Sequence, residues 1–112
     1  MPVKAEEYNG VCVISVEGDL IADNCLAVRT AAEQFVLNRH LADFIVDLEK
    51  CSFADSEGLE TLLWLKNRAD ELFGQAKLAH LEENFKKILQ ITRLDSRFEC
   101  QDDLAAALKM MR

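Results

Sequence analysis

Phe44-Ile45-Val46 is an unbroken apolar run that continues through Asp47-Leu48 into a short loop, Cys51-Ser52-Phe53-Ala54-Asp55. A strand that shows no polar alternation is expected where both faces of its sheet are covered. Beyond the loop the period changes: from Leu59 onward, Leu62, Leu65, Ala69 and Leu72 recur on one helical face. A buried strand handing over to an amphipathic helix is half of a parallel crossover unit, and it points to an α/β architecture. Ser56 stands at the handover, within Asp55-Ser56-Glu57-Gly58. A short side-chain oxygen at or next to an N-cap accepts a bond from the unpaired amides of the first turn. Ser56 is therefore either a helix cap or an accessible hydroxyl with another use.

The flanking chain repeats the alternation. Val3 to Tyr8 reads as an edge strand, Asn9-Gly10 as a two-residue turn, and Val11 to Val16 as the returning strand of an antiparallel hairpin. Asp23-Asn24 offers a cap for a helix that places Cys25, Val28, Ala32 and Phe35 inward and ends near Asn38-Arg39-His40. The strand Asp43 to Leu48 follows, then the helix to about Phe73, with Gly74 expected as its C′ residue. Lys77 to Leu81 reads as the next strand. Asn84 is the expected cap of a shorter helix carrying Phe85, Ile88, Leu89 and Thr92, and Arg97 to Cys100 is a last short strand. Asp102-Asp103 then caps a helix with Leu104, Ala107, Leu108 and Met111 inward. The order β-β-α-β-α-β-α-β-α implies right-handed crossovers and a mixed, mostly parallel sheet with an antiparallel N-terminal edge hairpin and four helices. At 112 residues, without linker or repeat, residues 1–112 are expected to form a single domain.

A net charge of −7 and basic residues scattered singly or in the pair Lys86-Lys87 argue against nucleic acid, whose phosphates call for clustered Lys and Arg. The apolar runs are only a few residues long, so no membrane insertion and no signal peptide are expected, and the cytoplasm is the expected compartment. Cys12, Cys25, Cys51 and Cys100 form no C-x-x-C pair and stand in or beside apolar runs, as buried thiols do. His40 and His80 are 40 positions apart with no second ligand near either in sequence, so no metal site is expected. There is no Gly-rich phosphate loop, no nucleophile elbow and no histidine placed as a base, so neither catalytic residues nor a cofactor are expected.

Four stretches together resemble the STAS domain, found in sulfate transporters and anti-sigma factor antagonists: Val16-Glu17-Gly18-Asp19-Leu20, Ile45-Val46-Asp47-Leu48, Phe53-Ala54-Asp55-Ser56-Glu57-Gly58-Leu59, and Thr92-Arg93-Leu94 with Phe98 and the closing Asp-x-Leu-x-Ala helix. The Asp-Ser-x-Gly-Leu step after an apolar strand is the most specific part. The resemblance implies a non-catalytic regulatory domain of STAS-like fold. It makes Ser56 the residue phosphorylated by an anti-sigma factor that is itself a serine kinase, with a phosphoserine phosphatase as the opposing partner. Asp55, Glu57 and Gly58 would share the partner-facing loop. Glu57 departs from the family pattern, where this position is usually small, and sets a second carboxylate against Ser56.

Helical geometry adds two residues to that surface. At about 100° per residue, Leu63 and Trp64 each fall roughly 130° from the centre of the stripe defined by Gly58, Leu62, Leu65, Ala69 and Leu72. Trp64 is thus expected either as an exposed aromatic of the type enriched in binding hot spots or packed beneath a neighbouring element. The competing function for the same fold is a non-phosphorylated subunit of a membrane-transport complex, or a scaffold piece of a larger signalling assembly.

Overall fold

The computed structural model describes residues 2–111. Its elements run β1 (Val3–Tyr8), β2 (Val11–Glu17), α1 (Ala22–Arg39), β3 (Asp43–Lys50), α2 (Ser56–Glu71), β4 (Ala76–Ala79), α3 (Glu83–Ile91), β5 (Glu99–Gln101) and α4 (Leu104–Met110). The five strands lie in the order β1-β2-β3-β4-β5; β1 pairs antiparallel with β2 and all later pairs are parallel. Asn9 and Gly10 both take positive φ, 53° and 81°, as the tight turn between β1 and β2 demands.

The two faces of the sheet are covered unequally. Phe44, Val46 and Leu48 of β3 join the main core with Val28 and Ala32 of α1, Leu62 and Leu65 of α2, and Phe85 and Leu89 of α3. Ile45 points the other way, into a smaller cluster with Val11, Val13, Ala79 and Ala107 of α4. Burial on both sides accounts for the unbroken apolar run in β3. The same alternation carries Asp47 onto the α4 side, where it is half-buried; beyond it β3 shifts register against β2, and Glu49 in that stretch is exposed. Among the described residues no helix is long and apolar enough to cross a membrane.

Several boundaries and caps differ from the sequence expectation, each for a local reason. Helix α1 begins at Ala22 without a side-chain cap, because Ile21, which has no side-chain acceptor, occupies the cap position; Asn24 falls inside the first turn, where its Nδ2 donates to the Asp19 carbonyl at 2.7 Å. Val36, rather than Phe35, completes its buried row. At the end of α2 it is Phe73, not Gly74, that adopts the left-handed conformation, φ 63°. Gly74 is needed one step later, where a Cβ would stand 1.9 Å from the Ala42 carbonyl oxygen. Strand β4 stops at Ala79 because His80 turns the chain at φ 62°. Glu82, not Asn84, caps α3 by accepting the Asn84 amide at 2.8 Å. Of the four cysteines, Cys12, Cys25 and Cys51 are buried free thiols, whereas Cys100 on the edge strand is exposed. Lys77 is buried and paired with Glu99 of the neighbouring strand, a contact the sequence pattern did not suggest.

Candidate functional site

The loop from Cys51 to Asp55 is held from three directions. The Leu20 amide donates to the Phe53 carbonyl at 2.9 Å, and Leu20 and Ala54 form an isolated parallel bridge. Asn84, inside the first turn of α3, donates its Nδ2 to the Ser52 carbonyl at 2.7 Å. The Cys51 thiol donates to the Phe53 carbonyl at 3.4 Å. A loop tied to the β2–α1 connection on one side and to α3 on the other presents its tip in a fixed shape.

At that tip Asp55 is the N-cap of α2, its Oδ1 accepting the Gly58 amide at 2.9 Å. Ser56 is the first helical residue and is exposed, as is Glu57, while Asp55 is half-buried. The expectation that Ser56 sits at or next to the cap thus resolves to "next to": the carboxylate does the capping and the hydroxyl faces outward. Gly58 lies differently from its expected place in a partner-facing loop. It is buried, and a Cβ there would come within 2.1 Å of the Leu20 carbonyl oxygen, so its lack of a side chain is what lets the β2–α1 connection press against the first turn of α2. Thr61 closes the same turn from inside, its hydroxyl donating to the Glu57 carbonyl at 2.9 Å.

Trp64 is not free on the surface. It is half-buried, packs on the main core, and carries the Arg29 guanidinium of α1 over its ring at 5.0 Å from the centroid. Leu63 is likewise half-buried against that core. Of the two settings expected for Trp64, exposed or packed beneath a neighbouring element, the structure has the second, and the neighbour is α1: Arg68 of α2 forms a two-pronged pair with Glu33 of α1, at 2.7 and 3.2 Å, and holds the helices side by side. The exposed aromatic nearest in sequence to Ser56 is instead Phe53, 42 % exposed in the loop itself. Its one sequence signal was an aromatic placed in a polar loop two residues before Asp55.

The model of the STAS domain family matches residues 2–107, nearly the whole chain. The chain belongs to the STAS domain family. Among solved structures, the STAS domain described here is similar to a candidate anti-sigma factor antagonist from Thermotoga maritima, with a TM-score of 0.88 at 17% identity over 98% of this chain and 94% of that one. It is similar also to an anti-sigma factor antagonist from Mycobacterium paratuberculosis, with a TM-score of 0.83 at 24% identity over 98% and 92% of the two chains. The Bacillus cell fate determinant SpoIIAA in its phosphorylated form matches with a TM-score of 0.77 at 19% identity, covering 98% of this chain and 99% of that one. At these identities the likeness is one of fold.

The titration of the thiols follows their surroundings. Burial pushes the Cys12 thiol up to about 12, and burial likewise raises those of Cys25 and Cys51. None is poised as a thiolate nucleophile. The fold also assembles, from distant parts of the chain, a group that the spacing of the histidines did not suggest: Asp47, Glu49 and His80 bring one possible ligand atom each to within 4.8 Å of one another.

Proposed function

We propose that this STAS domain is a non-catalytic signalling switch of the cytoplasm that docks on an anti-sigma factor serine kinase, and that phosphorylation of Ser56 ends the docking until a phosphoserine phosphatase reverses it. The observation that carries this reading is the division of labour at the start of α2: Asp55 caps the helix and Ser56 stands exposed beside it. A serine whose oxygen is not needed for the cap is spared for a partner.

A phosphoryl group adds roughly −1.5 to −2 charge. At a helix N-terminus the dipole favours it by about 0.3–1 kcal/mol. Asp55 and Glu57 oppose it by about 1–4 kcal/mol each, less where solvent screens them. Within the domain these effects are small beside the packing of α2, so the fold survives the modification. At an interface the balance changes, because burying an unpaired dianion costs several kcal/mol. About 4 kcal/mol is a thousandfold in affinity. The docking surface in this reading comprises Asp55, Ser56 and Glu57 with Phe53, and reaches toward Leu63 and Trp64 through their exposed parts; Gly58 shapes it from beneath.

The test is incubation of the full chain with candidate anti-sigma kinases and ATP, followed by peptide mass spectrometry. Phosphate at Ser56, absent in Ser56→Ala, supports the switch. No incorporation, together with a tight complex with an ABC-type transport ATPase, overturns it in favour of a non-phosphorylated transport subunit.

A further inference from the structure

We propose that Asp47, Glu49 and His80 form a divalent-cation site suited to Zn²⁺, on the face of the sheet opposite α1, α2 and α3. The three residues come from two strand ends. Asp47 lies on the face on which Ile45 meets α4, and Glu49 comes beside it in the irregular stretch where β3 shifts register against β2. β4 runs parallel to β3 with Ala79 beside Asp47, and His80 follows at once. The left-handed backbone at His80, φ 62°, is held by its own amide, which donates to the Gln101 carbonyl at 3.0 Å. The turn leaves the imidazole beside the two carboxylates instead of continuing the strand.

Donor identity and spacing fit the ion. His80 Nε2 lies 3.8 Å from Glu49 Oε2, and the donor atoms of all three residues fall within 4.8 Å of one another. Donors bound to one tetrahedral Zn²⁺ stand about 3.4 Å apart, given metal–ligand distances near 2.1 Å. The His80–Glu49 separation is within about 0.4 Å of that value, and Glu49 is exposed and free to adjust. One oxygen of Asp47 is already oriented, because Oδ1 accepts the Glu49 amide at 3.1 Å, which leaves Oδ2 for a metal.

The charge of the cluster also favours a cation. Two carboxylates and a neutral imidazole carry −2, which one divalent ion cancels. Of the nearby ammonium groups, Lys50 pairs with Glu17 at 3.5 Å and Lys77 pairs with Glu99, while Lys4 lies two strands from Asp47 across the sheet. Imidazole with two carboxylates is a donor set for Zn²⁺ rather than for Ca²⁺, which takes six to eight oxygens, or Mg²⁺, which retains its water. Asp47 and Glu49 also line a solvent-open hollow of about 240 Å³ with Lys4, Ser15, Glu17 and Lys50. The site is separate from the Ser56 surface and does not depend on the function proposed for it.

The experiment is calorimetric titration of ZnCl₂ into the full chain under reducing conditions, without chelating buffer. One saturable site is expected. His80→Ala and Asp47→Asn should each weaken it about tenfold or more. His40→Ala and Cys100→Ser should leave it unchanged. NMR of the unsubstituted protein supplies a readout that needs no variant, since Zn²⁺ should shift the His80 imidazole signals and not those of His40. No saturable binding, binding that survives His80→Ala in a natively folded variant, or shifts at His40 alone would each overturn the proposal.

Discussion

Asp55 Oδ1 accepts the backbone N–H of Gly58 at 2.9 Å, and this one bond decides what the adjacent serine is for. With the cap filled by a carboxylate, removal of the Ser56 hydroxyl should be nearly silent in stability, within about 0.5 kcal/mol. Asp55→Ala should cost about 1 kcal/mol, as loss of an N-cap does. Urea denaturation of both variants distinguishes the roles: a Ser56→Ala penalty equal to that of Asp55→Ala would return Ser56 to the cap.

Ser56→Asp tests the switch without a kinase. The variant should keep a native circular dichroism spectrum and lose partner affinity by about a hundredfold to a thousandfold, the effect of roughly 3–4 kcal/mol at a desolvated contact. Undiminished binding would remove the electrostatic account of the switch. Loss of the native spectrum would show that the charge acts on the fold instead.

Gly58→Ala sets two effects against each other. Alanine gains up to about 1 kcal/mol in helix propensity. Its Cβ, however, would lie 2.1 Å from the Leu20 carbonyl oxygen, a backbone atom fixed by the bond from the Leu20 amide to Phe53. Overpacking of this kind costs about 1–3 kcal/mol or more, so the net effect is destabilising. A lowered urea midpoint is expected, together with altered amide shifts in the loop from Cys51 to Asp55.

The buried thiols give the stability an alkaline limit. A thiol whose pKa is higher in the folded state than in the unfolded chain stabilises fully below the unfolded value and loses that contribution as pH rises. For Cys12 the window runs from the ordinary 9.0 up to about 12, and Cys25 and Cys51 shift in the same direction. The free energy of unfolding should therefore fall progressively above about pH 9. A Cys12→Ala variant, although less stable at neutral pH, should show a shallower alkaline decline in pH-dependent urea melts.

Trp64 supplies an optical check on the packing of α1 against α2. Its ring lies under Arg29, so acrylamide, a neutral quencher, should quench its fluorescence weakly in the native protein and more strongly in Arg29→Ala. Strong quenching in the unsubstituted protein would contradict the half-buried position.

The amino-acid sequence by itself determined the order of elements, because that order is written in short-range periodicity. Phe44-Ile45-Val46 read as a strand covered twice, Asn9-Gly10 closed a hairpin, and the Gly58–Leu62–Leu65–Ala69 stripe gave α2 its inward face. The Asp-Ser-x-Gly-Leu step was likewise legible as the point where strand yields to helix. Cap choice was not, because it depends on where packing starts each helix: Asn24 and Asn84 fall inside the first turn, behind Ile21 and Glu82 at the cap positions. Nor was the setting of Trp64, since a helical projection holds no record of the helix that flanks it. Only the tertiary structure decided that Gly58 supports the site from below and that His80 meets Asp47 and Glu49. Those relationships arise from parallel strand register and close backbone approach between segments far apart in the chain, which no local pattern encodes.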